Sequence, residues 1–176
     1  MTNEFFRSIQ STFWPHGELR DIWMILDGAR DRAIFRMLLE GGLEYSCLYS
    51  GPIPSALEIA APFLVQLEYQ DKATRRLLER AWGNSWGVVL KCDRSLNNLR
   101  RHLRQFLIVR DSRGNRLLFR YYDPRVMRAY LPTCLSDELE TLFGPIQCFW
   151  TEDESSGCIE FRFDGRKLVQ RALSND

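Results

Sequence analysis

Between Ile22 and Phe106 short apolar runs repeatedly give way to amphipathic segments with their own start and stop signals. That alternation restricts the chain to architectures in which helices cover a sheet. Ile22 to Leu26 is long enough for a buried strand, too short for an ordinary helix, and ends at Asp27-Gly28. Asp31 can accept from the free N–H groups of a following helix, whose face Ile34, Phe35, Met37, Leu38 and Leu39 is closed by Gly41-Gly42. The pattern continues with a strand at Glu44 to Tyr49, a short helix at Ser55 to Ala60, and a strand at Phe63 to Leu67. A helix over Lys72 to Trp82 follows Asp71 and stops at Gly83, and Trp86 to Lys91 is a further strand. Ser95 to Phe106 is the most amphipathic segment, with Leu96, Leu99, Leu103 and Phe106 on one side and Arg100, Arg101 and Arg104 on the other. Four strand-to-helix alternations predict an α/β fold.

Beyond Leu107 the grammar changes. Leu107 to Arg110 and Arg116 to Tyr122 flank the polar stretch Asp111 to Asn115, which reads as a hairpin loop and makes the expected sheet mixed. Asp123 and Pro124 then start a helix. Ser136 is expected to cap another short helix, and Cys148 to Thr151 with Cys158 to Phe163 alternate like a second hairpin. The expectation is a mixed β-sheet flanked by helices, with a small α+β C-terminal lobe. Its divisions are an N-terminal arm (1–17), carrying Phe5, Phe6, Ile9, Phe13 and Trp14, an α/β core (18–131), and the lobe (132–176).

A chain of 176 residues suits one domain and buries roughly 70% of its unfolded surface. With 27% charged residues and a formal net charge of +1, it has no global field to draw in nucleic acid or membrane, so recognition must be local. Five scattered cysteines without a CxxC pair, and two histidines, argue against both a zinc site and a disulfide framework. No apolar stretch reaches membrane-spanning length and the N-terminus has no continuous signal-peptide core, so a cytoplasmic protein is expected.

Three constellations carry candidate chemistry. Arg120, Tyr121, Tyr122, Arg125, Arg128 and Tyr130 would form a basic, aromatic corner where a strand meets a helix N-terminus, and Trp82 and Trp86 are further candidate contacts for a protein partner. The arginines have an internal alternative, pairing with Asp27, Asp31 or a C-terminal carboxylate. Gly83-Asn84-Ser85-Trp86-Gly87 matches a hydrolase nucleophile elbow in letters, yet the helix precedes the serine and the strand follows it, the reverse of what an elbow needs. Asp27, Asp31 and Asp123 at strand ends could hold a divalent cation, although Asp31 and Asp123 serve equally well as helix caps. The alternative to a binding role is therefore a small hydrolase or metal-dependent phosphoryl-transfer enzyme using Ser85 or Asp27, Asp31 and Asp123.

Six strings occur in an order that resembles the type VI secretion effector adaptor family, also called domain-of-unknown-function family 4123. They are Leu26-Asp27-Gly28-Ala29-Arg30-Asp31, Cys47-Leu48-Tyr49-Ser50-Gly51, Ala61-Pro62-Phe63-Leu64-Val65, Trp82-Gly83-Asn84-Ser85-Trp86-Gly87, Leu99-Arg100-Arg101-His102-Leu103 and Phe119-Arg120-Tyr121-Tyr122-Asp123-Pro124-Arg125-Val126. The resemblance covers about Ile22 to Asp153 and implies a non-enzymatic bacterial chaperone without cofactor or metal. Its implied partner is a cognate secreted effector, which it would help load on the spike protein, a second candidate partner. No nucleic acid or membrane partner is implied.

Overall fold

The computed structural model describes residues 3–15, 17, 21–52 and 54–173. Its centre is a seven-stranded sheet in the order β2-β3-β1-β4-β7-β8-β9. The strands are β1 (Ile22–Asp27), β2 (Tyr45–Cys47), β3 (Pro62–Leu67), β4 (Gly87–Lys91), β7 (Cys148–Glu152), β8 (Cys158–Phe163) and β9 (Leu168–Leu173). A separate two-stranded ribbon is made of β5 (Ile108–Arg110) and β6 (Arg116–Leu118). The helices are α1 (Asn3–Phe13), α2 (Arg32–Gly41), α3 (Ser55–Glu58), α4 (Lys72–Ala81), α5 (Leu96–Arg104), α6 (Pro124–Tyr130) and α7 (Ser136–Phe143).

The α/β class and the helix-flanked sheet are as the alternation predicts, and every ladder is antiparallel. The two statements fit because β1-α2-β2 and β3-α4-β4 are split βαβ units. β1 and β2 run in one direction with β3 inserted between them, and β3 and β4 run in the other with β1 between them. Helical crossovers thus join strands of like direction that never become neighbours.

Both faces of the sheet are covered, which explains why its central strands read as unbroken apolar runs. In β1, Ile22, Met24 and Leu26 enter one core together with Ile34 and Leu38 of α2, Leu77, Leu78 and Ala81 of α4, and Phe6, Ile9 and Phe13 of α1. Trp23 and Ile25 enter the other, with Leu99 and Leu103 of α5, Met127 of α6, and Leu139, Leu142 and Phe143 of α7. Residues Asn3–Phe13 of the N-terminal arm therefore form a packed helix, and the Phe13 ring lies 4.8 Å from that of Trp150.

The C-terminal segment is α+β in content, with α7 followed by three strands. It extends the main sheet through the β4–β7 ladder and shares both cores, so the sheet runs unbroken past the boundary drawn at residue 132. Two local expectations change. The strand expected over Arg116 to Tyr122 stops at Leu118, because Phe119 to Asp123 turns inward to bury its aromatics. At α7 Leu135, not Ser136, stands at the N-cap, where its N–H donates to the Glu138 carboxylate.

The tightest point of the sheet is the β1–β4 ladder, where a methyl group on Gly87 would sit 1.9 Å from the Ile25 carbonyl oxygen. Gly87→Ala is accordingly expected to force the two central strands apart and to cost about 3 kcal/mol. A urea titration in which the variant keeps the native midpoint would refute this.

Candidate functional site

The polar end of β1 is built around one buried carboxylate. The Asp27 side chain is 1% exposed, so its charge must be matched by donors. Oδ1 accepts from Ala29 N–H at 3.2 Å, and Oδ2 accepts from both Nε and Nη2 of Arg120. Partial burial works against the Arg120 charge, but the hydrogen bond and charge of Asp27 outweigh it and hold the guanidinium above its ordinary pKa. Main-chain bonds lock the same point: Asp27 N–H donates to Trp86 O, and Gly28 N–H to Ala61 O. Gly28 has no room for a side chain, since a methyl there would meet the Ile59 and Ala61 carbonyls at 2.5 Å.

Tyr122 is buried next to this pair and beside Tyr49. Burial first, then the Asp27 charge, pushes its pKa well up and keeps it a neutral phenol. Tyr121 is fully buried and donates to Leu103 O at 2.9 Å. Arg100 crosses to the other side, donating to Cys47 O at 2.8 Å and Tyr49 O at 3.2 Å.

A second buried carboxylate organises the Gly83 to Gly87 turn. Glu152, at the end of β7, accepts from Gly83 N–H, Ser85 N–H and the Ser85 hydroxyl. Ser85 adopts a left-handed backbone at φ 53°, and Trp82 Nε1–H donates to Ser156 O. The serine lies after α4 and before β4, in the order that an elbow does not have. His102 is held elsewhere, its Nε2–H donating to Leu142 O.

The aspartates of the metal alternative are engaged too. Asp31 accepts from Ala33 N–H at the start of α2. Asp123 accepts from Arg125 N–H and from its guanidinium at the start of α6. Among the described residues, no group of three or more His, Cys, Asp or Glu side chains could hold a metal ion.

The corner expected to bind a partner is therefore largely structural. Tyr121, Tyr122, Trp82 and Trp86 are corrected to core residues, none more than 7% exposed, because their rings fill the two cores while the Tyr121 hydroxyl and the Trp82 indole find internal acceptors. Arg120 takes the expected internal pairing with Asp27, whereas Arg125 pairs with Asp123, the cap of its own helix, and Arg128 donates to the Glu152 main-chain oxygen. Arg125 and half-buried Tyr130 retain surface, and Tyr130 packs edge-on against Phe119 at 4.8 Å.

Among the described residues, four of the nine exposed large apolar side chains lie together on the β5–β6 ribbon. Ile108, Val109, Leu117 and Leu118 are 39–48% exposed, and they pair across the ribbon as Ile108 with Leu118 and Val109 with Leu117. Directly opposed residues share a face, so both faces of the ribbon are aliphatic and exposed. Its base is anchored by buried Leu107 and by Phe119, whose N–H donates to Leu107 O. Its tip is a closed loop in which Asp111 accepts from Arg113 N–H, Asn115 N–H and Asn115 Nδ2–H. The sequence carried a signal for this surface: two doublets, Ile108-Val109 just before Arg110 and Leu117-Leu118 just after Arg116, lack the polar alternation of a half-buried hairpin.

Residues 22–141 match the model of a family described as a domain of unknown function (DUF4123). No curated protein and no solved structure matches the chain.

Asp123 gives the site a pH signature. Burial alone would raise its pKa, but the side-chain and main-chain hydrogen bonds and the charge of Arg125 outweigh burial and leave it below the ordinary value. A depressed folded-state pKa stabilises the protein fully above the unfolded value of about 3.9, and that stabilisation is lost as the pH falls through the folded value. Asp123→Asn keeps a capping oxygen but loses the ion pair, on the order of 1 kcal/mol at neutral pH. The stability gap between the two proteins should close below about pH 4; a gap that is constant from neutral to acid, measured by urea midpoints, contradicts this assignment.

Proposed function

This chain belongs to the DUF4123 family, and from that premise we propose that it is a non-enzymatic cytoplasmic adaptor. It binds a specific type VI secretion effector and helps to load it onto the spike protein. The observation that carries the binding role is the ribbon, four exposed aliphatic residues projecting from an anchored base on a strand pair outside the main sheet. Grouped aliphatic exposure of this kind is a feature of protein interaction surfaces. The non-enzymatic part draws support from the internal engagement of Ser85, Asp27, Asp31 and Asp123. The type VI assignment draws on the six ordered strings in the sequence.

A stable interface buries on the order of 800 Å² on each partner, a small share of the 10009 Å² that this chain exposes. No deep pocket or cofactor is needed for such a role. The effector's own apolar surface would be covered in the complex, which is how an adaptor keeps an otherwise insoluble toxin in solution.

Co-expression with the protein encoded beside this gene, followed by tag purification and light scattering, tests the reading. The expected result is a stoichiometric complex that makes the neighbour soluble. Changing Leu117 and Leu118 together to serine alters one residue on each ribbon face and should weaken that complex by about tenfold or more, with the melting temperature unchanged. Separate elution of two independently soluble proteins would sink the adaptor reading for that pair.

A further inference from the structure

The two faces of the ribbon look onto grooves of opposite charge. On the Ile108 side, a groove of about 780 Å³ is lined by Leu48, Tyr49, Leu107 and Ile108 together with Arg100, Arg101 and Arg104. Among the described residues no carboxylate lines it. Arg100 is engaged with the Cys47 and Tyr49 carbonyls, whereas no ion pair or side-chain hydrogen bond engages the guanidinium groups of Arg101 and Arg104 among the described residues. Asp111, the acidic residue of the ribbon loop, is held in its turn by three donors. On the Val109 side, a smaller groove of about 240 Å³ includes Phe106, Phe119 and Tyr130, and there the charged residues are Asp137 and Glu138.

We propose that the groove between α5 and the Ile108–Leu118 face of the ribbon takes an acidic, aliphatic segment of a partner protein. Its aliphatic side chains lie on Ile108 and Leu118, and its carboxylates meet Arg101 and Arg104. The inference rests on the adaptor reading and adds to it the chemistry of the segment and the side on which it lies. Arginine forks match carboxylates in a bidentate geometry, and charges at a rim select partners and raise the rate of encounter. The carboxylates of α7 repel the same segment from the opposite face, so the charge reversal sets which side is used. A nucleic acid is a poorer fit, because binding of single strands relies on aromatic platforms for base stacking and Tyr49 is the one aromatic ring among the described residues that line this groove.

The test uses the full chain and fluorescence anisotropy with labelled probes of equal length. They are a peptide alternating glutamate and leucine, one alternating lysine and leucine, one alternating glutamate and serine, and oligothymidylate. The glutamate–leucine peptide should bind at least about tenfold more tightly than the others and weaken as salt is added. Arg101→Glu with Arg104→Glu, and separately Ile108→Ser with Leu118→Ser, should each weaken it by about tenfold, while Val109→Ser with Leu117→Ser leaves it unchanged. If the apolar substitutions disturb folding, the charge reversal on exposed Arg101 and its neighbour Arg104 decides. Absence of binding, equal binding of the lysine–leucine peptide, tighter binding of oligothymidylate, or indifference to the charge reversal each overturns the proposal. No secretion component enters this assay. Loss of peptide selectivity therefore removes the groove and leaves a co-expression complex standing, whereas selective peptide binding without such a complex removes only the effector role.

Discussion

The carboxylate of Asp27 sets the geometry on which the rest of this protein depends. It sits at the end of the central strand with a side chain closed to solvent, so the surrounding chain must bring it donors. Truncating the partner of a buried charge costs about 3–5 kcal/mol, more than a single solvated pair contributes, and the segments that satisfy Asp27 are correspondingly fixed in place. Arg120 comes from 93 residues further along the chain, and β3 and the Gly83 to Gly87 turn are bonded to the adjacent main chain. The six strings through which the chain resembles its family all gather here. The second and sixth meet where Tyr49 lies beside Tyr122, and the fifth joins the second through the bonds from Arg100 to Cys47 and Tyr49. The fifth string supplies Leu103 O to Tyr121, and the glycines of the first and fourth accept no side chain.

That convergence changes what the strings can be taken to mean. A glycine with no room for a methyl, an aspartate held by an arginine, and a serine whose hydroxyl donates to a buried glutamate are requirements of the fold. Letters that look catalytic when read in a line, such as Gly-Asn-Ser-Trp-Gly, describe a turn stopped by Glu152. The ribbon, by contrast, falls between the fifth and sixth strings, and its exposed doublets make no comparable demand on the core. On the proposed reading, the fold is held by the strings and partner choice by the segment that they leave free.

Much of this was legible residue by residue. Asp31, Asp71 and Asp123 each precede an amphipathic segment, and each accepts from the first turn of its helix, because a capping carboxylate acts over two or three residues. The buried strands were legible for a similar reason, since a sheet covered on both faces needs apolar residues at every position. What depended on distant partners was not. Leu-Leu-Phe-Arg-Tyr-Tyr reads as one strand, yet the ladder ends after the leucines and the tyrosines turn into the core, where Leu103 O accepts from Tyr121 and Tyr122 lies beside Tyr49. β9 escaped because Val169 to Ala172 is an exposed edge strand whose composition obeys no inward alternation. Ladder direction was hidden because a helical crossover fixes the direction of the strands it joins, not the strand that slips between them.

The ribbon poses a physical question of its own, since an isolated two-stranded hairpin is at best marginally stable in water. Here it is held at both ends: Leu107 and Phe119 tie the base to the second core, and Asp111 closes the loop through three donors. Aliphatic side chains on both faces stay exposed without having to supply the stability of the strand pair. That separation matters for a binding surface, because residues that need not hold the fold can vary with the partner, and a preformed surface loses less conformational entropy on binding than a disordered one. With arginines on one side and carboxylates on the other, the same ribbon also has an orientation built in, and a partner segment of either charge would find only one of its faces favourable.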